Sequence, residues 1–167
     1  MISAKVMLLG DIGVGKTSLA RRCVFNKFES DYKTTIGVDV LTHDIGLGPD
    51  CGGETLRLVL WDTDGDFGDR IFDTVYVAGA SGAIVVADAS RPSTIVKAAS
   101  LAQRFEERFP GRPAIVIVNK VDIAPPPGDL GPAAGFAGDV LYSSAKTGEG
   151  VAELFQRLGA AIWRRAS

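Results

Sequence analysis

The sequence predicts an α/β fold: an open, mostly parallel six-stranded sheet with one antiparallel strand and helices on both faces. Three observations predict it. Short apolar runs of β type alternate along the chain with longer stretches of helical spacing. Several of those runs are apolar throughout, as strands covered on both faces are. One pair of runs is joined by a long Gly- and Pro-rich turn, which makes a hairpin and so an antiparallel partner.

The elements follow in order. Residues 5–10 (KVMLLG) read as a buried strand ending in glycine. Residues 16–26 read as a helix, with Leu19, Cys23 and Val24 on its apolar stripe. Residues 38–47 and 55–62 read as two strands, and Gly48-Pro49-Asp50-Cys51-Gly52-Gly53 is the long turn between them. Cys51 reads as a loop thiol. Residues 83–87 (AIVVA) form a third apolar run that ends at Asp88. Residues 94–109 read as a helix, with Ile95, Ala98, Leu101, Ala102 and Phe105 at helical spacing. Residues 114–118 (AIVIV) read as a buried strand ending at Asn119, and 140–143 as a short one. Residues 149–165 are amphipathic, with Val151, Leu154, Phe155, Leu158 and Ile162 turned inward. The weak region is 123–139. Consecutive prolines at 125–127 cannot sit inside a helix, so any helix there is short, over 132–137. No repeat or boundary interrupts the chain, and 1–167 is expected to be one domain.

Composition excludes several classes of function. Eighteen Lys and Arg against 20 Asp and Glu give a net charge of −2, which argues against a nucleic-acid binder. Two cysteines make no disulfide scaffold, and a single histidine, His43, makes no histidine zinc site. The apolar runs are too short to span a membrane, and the first of them enters a motif at Gly10 rather than a cleavage site. The chain ends in Arg-Arg-Ala-Ser without a prenylation box, so no direct lipid anchor is expected and a cytoplasmic location is.

Gly10-Asp11-Ile12-Gly13-Val14-Gly15-Lys16-Thr17 fits G-x-x-x-x-G-K-[ST], after a predicted strand and opening a predicted helix. Glycines let the backbone curl so that its N–H groups face phosphate oxygens, and the helix N-terminus adds a positive dipole. Lys16 can reach the β- and γ-phosphates, and the Thr17 hydroxyl can ligate Mg²⁺. The base is chosen by Asn119-Lys120-Val121-Asp122, at the end of the 114–118 strand. Guanine presents N1–H and an exocyclic amine side by side, and one carboxylate, Asp122, can accept both. Adenine lacks that pair. Asn119 would tie neighbouring loops, and the Lys120 stem can lie over the base. Ser143-Ser144-Ala145-Lys146 follows the next strand and would offer the Ala145 N–H to the guanine oxygen.

GDIGVGKTS, YKTTIGVD, WDTDG, NKVD and SSAK stand in this order between residues 5 and 163. On these motifs the sequence resembles the small GTPases of the Ras superfamily and is most similar to the Rab branch, whose mark is Ile36-Gly37-Val38-Asp39 after a threonine. The Gly- and Ala-rich composition and missing lipid box fit a prokaryotic relative. The resemblance implies the G-domain form of the P-loop NTPase fold and a switch that binds GTP and GDP with Mg²⁺. It carries nucleotide contacts to Gly13, Val14, Gly15, Lys16, Thr17, Ser18, Phe28, Thr35, Gly65, Asn119, Lys120, Asp122, Ser144, Ala145 and Lys146. Metal ligation falls to Thr17, Thr35 and, through water, Asp62. Catalysis falls to Lys16, Thr35, Gly65 and position 66. Loss of the γ-phosphate would release both switches. Effector, exchange factor and activating protein would bind the face from Thr35 to Trp61 and Tyr76, where Val40, Trp61 and Tyr76 match an apolar effector triad. Trp61 equally suits a core strand position.

The departures from the family pattern matter for chemistry. The family motif D-T-A-G-Q reads Asp62-Thr63-Asp64-Gly65-Asp66, so Asp66 replaces the glutamine that orients water. An amide donates and accepts, whereas an ionised carboxylate only accepts and repels phosphate. Ile12 puts a branched side chain where the family has a small residue. Phe67, Gly68 and Asp69 also differ from the usual second switch, and the stretch between NKVD and SSAK is short. The expected function is a GTP-hydrolysing switch, slow without a partner. The alternative is a nucleotide-locked binding module with negligible hydrolysis. Asn119 to Asp122 disfavour an ATPase or kinase. The series Asp62, Asp64, Asp66 and Asp73 invites a calcium-loop reading, but Phe67 stands where that loop needs its turn glycine.

Overall fold

The computed structural model describes residues 2–26, 37–125 and 140–166. The elements are β1 (Ile2–Gly10), α1 (Lys16–Phe25), β2 (Val38–Gly46), β3 (Thr55–Thr63), β4 (Gly82–Asp88), α2 (Pro92–Arg108), β5 (Ala114–Asn119), β6 (Val140–Tyr142) and α3 (Val151–Ala166). Short 3₁₀ segments cover Pro49–Cys51, Gly65–Asp73 and Val75–Val77. The expected short helix over 132–137 lies outside the described residues.

The six strands form one sheet in the order β2-β3-β1-β4-β5-β6. β1 pairs in parallel with β3 and β4, β4 with β5, and β5 with β6. β2 alone is antiparallel, running against β3 from Val38 opposite Thr63 to Gly46 opposite Thr55. Every residue of β4 and β5 is buried, which is why their sequences are apolar without alternation.

The core lies on both faces. Val6 and Leu8 of β1 point to one side, where they meet Leu19 of α1 and Leu154, Phe155 and Leu158 of α3. Met7 and Leu9 point to the other, toward Ile71, Phe72 and the Ile95, Leu101 and Phe105 face of α2. The switch of side with each residue is the two-residue period of a strand. Burial of each such side chain stabilises the fold by about 1.5–3 kcal/mol.

The hairpin turn departs from expectation. The sequence reads Cys51 as a loop thiol, but the structure buries it completely among the residues beneath α3. Gln156 of α3 donates to the Gly46 carbonyl at 2.7 Å, and Arg164 reaches Asp50 at 2.6 Å, so α3 clamps the turn. Among the described residues no helix is long and apolar enough to cross a membrane.

The order of the strands positions the site. After β1 the chain fills the β2-β3 side of the sheet, and after β3 it crosses past β1 to β4 and β5 on the other side. A crevice opens at the carboxyl end of β1, the topological switch point where ligands bind in such sheets.

Candidate functional site

Residues 10–17 fill that crevice and lead into α1. Gly15 opens the helix with φ +104°, a left-handed conformation. A Cβ there would also stand 2.3 Å from the Asn119 amide nitrogen, so conformation and space both require glycine. The Lys16 side chain is buried and bends back over the loop. Its Nζ donates to the Gly10 and Asp11 carbonyls, each at 3.1 Å. Burial lowers its pKa, while the carboxylates of Asp62, Asp11 and Asp64 pull it back up.

Beside it, the Thr17 hydroxyl donates to Asp62 Oδ2 at 2.5 Å. Asp62 is 1% exposed, at the penultimate position of β3. Two hard oxygen donors therefore meet next to a buried ammonium. That donor set fits Mg²⁺ and suits neither thiophilic nor histidine-bound metals. Among the described residues no group of three or more His, Cys, Asp or Glu is placed to hold a metal ion. The acidic run of 62, 64 and 66 is thus no calcium cage: Asp64 instead caps the Gly65–Asp73 segment by accepting from the Asp66 N–H at 2.9 Å.

The other loops of this edge converge on residues 10–17. Asn119 donates from Nδ2 to the Val14 carbonyl at 3.0 Å. Its Oδ1 accepts from the Ser143 hydroxyl and the Ala145 N–H, both at 3.1 Å. Lys120 adopts φ +68°, uncommon for a residue with a side chain, and its Nζ meets the Gly13 carbonyl at 2.6 Å. Asp122 is exposed and accepts from the Ser144 hydroxyl at 2.7 Å. The Arg22 guanidinium of α1 donates to the Ala145 carbonyl at 2.7 Å and also to the Lys146 carbonyl, which ties the SSAK loop to the helix. Lys146 itself is exposed, Val14 is buried and Ser18 is half-buried in α1.

Gly65 and Asp66 begin the 3₁₀ segment that follows β3. Gly65 is buried against the backbone of Asp11 and Ile12, and Asp66 is exposed. Phe28 and Thr35 lie outside the described residues. Val40 pairs with Trp61 across the hairpin and is 49% exposed. Trp61 is half-buried, its ring 6.5 Å from that of Tyr76. Phe67 adds a third ring 5.9 Å from Tyr76, and Lys5 Nζ sits 3.8 Å above Trp61.

Sequence reasoning missed Asp88, Arg91 and Lys97. Asp88 closes β4 with 2% exposure and is held by Ser90, Arg91 and Lys120. Burial alone would raise its pKa. The hydroxyl and N–H of Ser90, with Lys120 and Arg91, outweigh that and hold the carboxyl down at about 2. Lys97 of α2 pairs with Asp11 at 3.7 Å. The available signal was a charged residue ending a buried apolar strand, since such a charge needs partners.

Residues 5–122 match the family described as "Ras of Complex, Roc, domain of DAPkinase". The chain is 28% identical to the GTP-binding protein YPT52 of Saccharomyces cerevisiae, with 98% of this chain and 83% of that protein covered. It is 32% identical to Ras-related protein Rab-5B of Plasmodium falciparum, over 96% of this chain and 78% of the relative. It is 30% identical to Ras-related protein Rab-21 of Geodia cydonium, over 96% and 71%. The chain belongs to the Rab-like branch of the Ras-related small GTPases, switches that bind GTP and hydrolyse it.

Proposed function

We propose that this GTPase holds GTP at the 10–17 loop and hydrolyses it slowly on its own, with Asp66 in the water-facing position. The observation that carries the reading is the meeting of Lys16, Thr17 and Asp62 at the carboxyl edge of β1 and β3, beside the loops of Asn119 and Ser144. Lys16 gives up its carbonyl partners to phosphate oxygens as a point charge. The helix N-terminus and the loop N–H groups neutralise the rest of the phosphate charge. Asp122 selects guanine through its paired donors.

Mg²⁺ accompanies the nucleotide in Ras-like GTPases generally. Thr17, Thr35 and Asp62 (the last through water) would hold it here, and it would supply charge neutralisation at the phosphates. Phosphoryl transfer depends on positioning and charge. Asp66 serves both poorly. Its backbone is fixed, with the N–H on Asp64 and the carbonyl accepting from Arg70 at 2.8 Å. Its side chain is one methylene shorter than glutamine, offers no donor when ionised, and adds negative charge near phosphate.

Effectors and regulators dock on the switch face from Thr35 to Trp61 and onto Tyr76. The exposed Val40 and the ring cluster of Trp61, Phe67 and Tyr76 support this, because aromatic groups are enriched at interfaces. Phe67 enlarges the cluster, so a partner must fit a second switch bulkier there than the family pattern.

A single-turnover time course on the GTP-loaded chain tests the reading. Slow release of GDP above buffer controls is expected. GTP that stays intact for many hours would favour the second reading, a nucleotide-locked binding module. The exposed branched side chain of Ile12 at the rim of the loop favours that alternative.

A further inference from the structure

Three carbonyls of the phosphate loop, those of residues 12–14, are turned outward, each onto a side chain from another element. Val14 O accepts from Asn119, Gly13 O from Lys120, and Ile12 O from Arg91, at 3.0, 2.6 and 2.8 Å. In a trans peptide the carbonyl and the following N–H point in opposite directions, and no cis bond occurs among the described residues. A donor that holds one carbonyl outward therefore aims the next N–H inward. Asn119 aims the Gly15 N–H and Lys120 the Val14 N–H. Arg91 does the same for Gly13.

Asn119 and Lys120 belong to the NKVD motif. Arg91 belongs to no motif and comes from the N-terminal end of α2. It is nevertheless built into place. Its N–H donates to the Asp88 carbonyl at 3.0 Å, and its carbonyl accepts from the buried Thr94 hydroxyl at 2.7 Å. Its Nε pairs with Asp88 Oδ2 at 3.1 Å, while the other arm of the fork reaches Ile12. The same Oδ2 meets Lys120 Nζ at 3.0 Å. One buried carboxylate thus organises two cations, and each cation orients one peptide of the phosphate loop.

We propose that Arg91, anchored on Asp88, is a positioning residue for nucleotide binding and hydrolysis: it fixes the 12–13 peptide so that the Gly13 N–H faces the phosphates. The proposal rests on residues 10–17 being the phosphate site. Arg91 serves its two acceptors from two separated nitrogens, Nε on Asp88 and a terminal nitrogen on Ile12, held in one rigid plane. Lysine carries all its donors on one nitrogen, so it cannot occupy both of those positions.

The test uses the full chain as wild type, Arg91→Ala, Arg91→Lys and Lys16→Ala. Release of a fluorescent GDP, single-turnover GTP hydrolysis and thermal unfolding are measured for each. Arg91→Ala is expected to speed release and slow hydrolysis by about tenfold each, the scale of one charge-assisted hydrogen bond. Arg91→Lys, which keeps the charge beside Asp88, is expected to restore the melting temperature but not the two rates. Rates within twofold of wild type in Arg91→Ala would overturn the proposal. So would recovery of both rates and melting temperature in Arg91→Lys, because a charge that merely props the fold behaves that way. Lys16→Ala separates the two failures. If it still binds GDP like the wild type, the phosphate site is misassigned. If it loses GDP while Arg91→Ala is silent, only the role of Arg91 falls.

Discussion

A Cβ on Gly65 would stand 2.5 Å from the backbone nitrogen of Ile12 and 2.8 Å from the carbonyl carbon of Asp11. The start of the 65–73 segment is therefore stacked on the 10–17 loop with no room for a methyl group. Its neighbours are backbone atoms of a loop held by four side chains, Lys16, Arg91, Lys120 and Asn119, so the loop cannot easily give way.

Gly65→Ala should force the two segments apart. The expected cost is about 1–3 kcal/mol of stability, typical of overpacking, together with a drop in GTP hydrolysis. Thermal unfolding and single-turnover kinetics check this. An unchanged melting temperature and rate would show that the two segments part freely.

Asp88 gives a pH dependence with a defined sign. Its carboxyl is held at about 2, below its ordinary 3.8, so the folded state favours the charged form. The stabilisation is fully present above about pH 4 and is lost as pH falls toward 2. Asp88→Asn should destabilise the chain at neutral pH and flatten the acid end of its melting curve. Parallel melting-versus-pH curves for variant and wild type would refute the assignment.

Asp122→Asn should shift preference from guanine toward xanthine nucleotides. Xanthine presents an acceptor where guanine presents its amine, and the asparagine amide can donate to it. A change of about tenfold in relative affinity is expected in a competition assay, the scale of one or two hydrogen bonds. Unchanged preference would remove Asp122 from the base contact.

Much of this was legible in the sequence. The continuous apolar runs 83–87 and 114–118 gave central strands because β4 and β5 are buried on both faces, where periodicity reduces to composition. The turn of residues 10–15 into α1 was readable because its glycines answer a local backbone demand, as Gly15 does. The bracing of that loop was not readable. Arg91 meets Ile12 from 79 residues away, and no spacing rule encodes which distant side chain completes a carbonyl. Cys51 looked like a loop thiol because burial under α3 depends on how the helix packs, not on the turn's own composition. Asp88 was visible only as the end of a strand, since its partners come from the following turn and from the NKVD loop.

In the proposed function, Asp66 is the group that limits hydrolysis. Single-turnover GTP hydrolysis by wild type and Asp66→Gln, loaded with GTP and Mg²⁺ in parallel, tests it most directly. Restoring a side-chain amide that both donates and accepts should raise the rate by about tenfold or more, within the range for one positioned group acting on the attacking water. Equal rates for the two proteins would contradict the claim and shift the limitation to Ile12 at the rim of the phosphate loop.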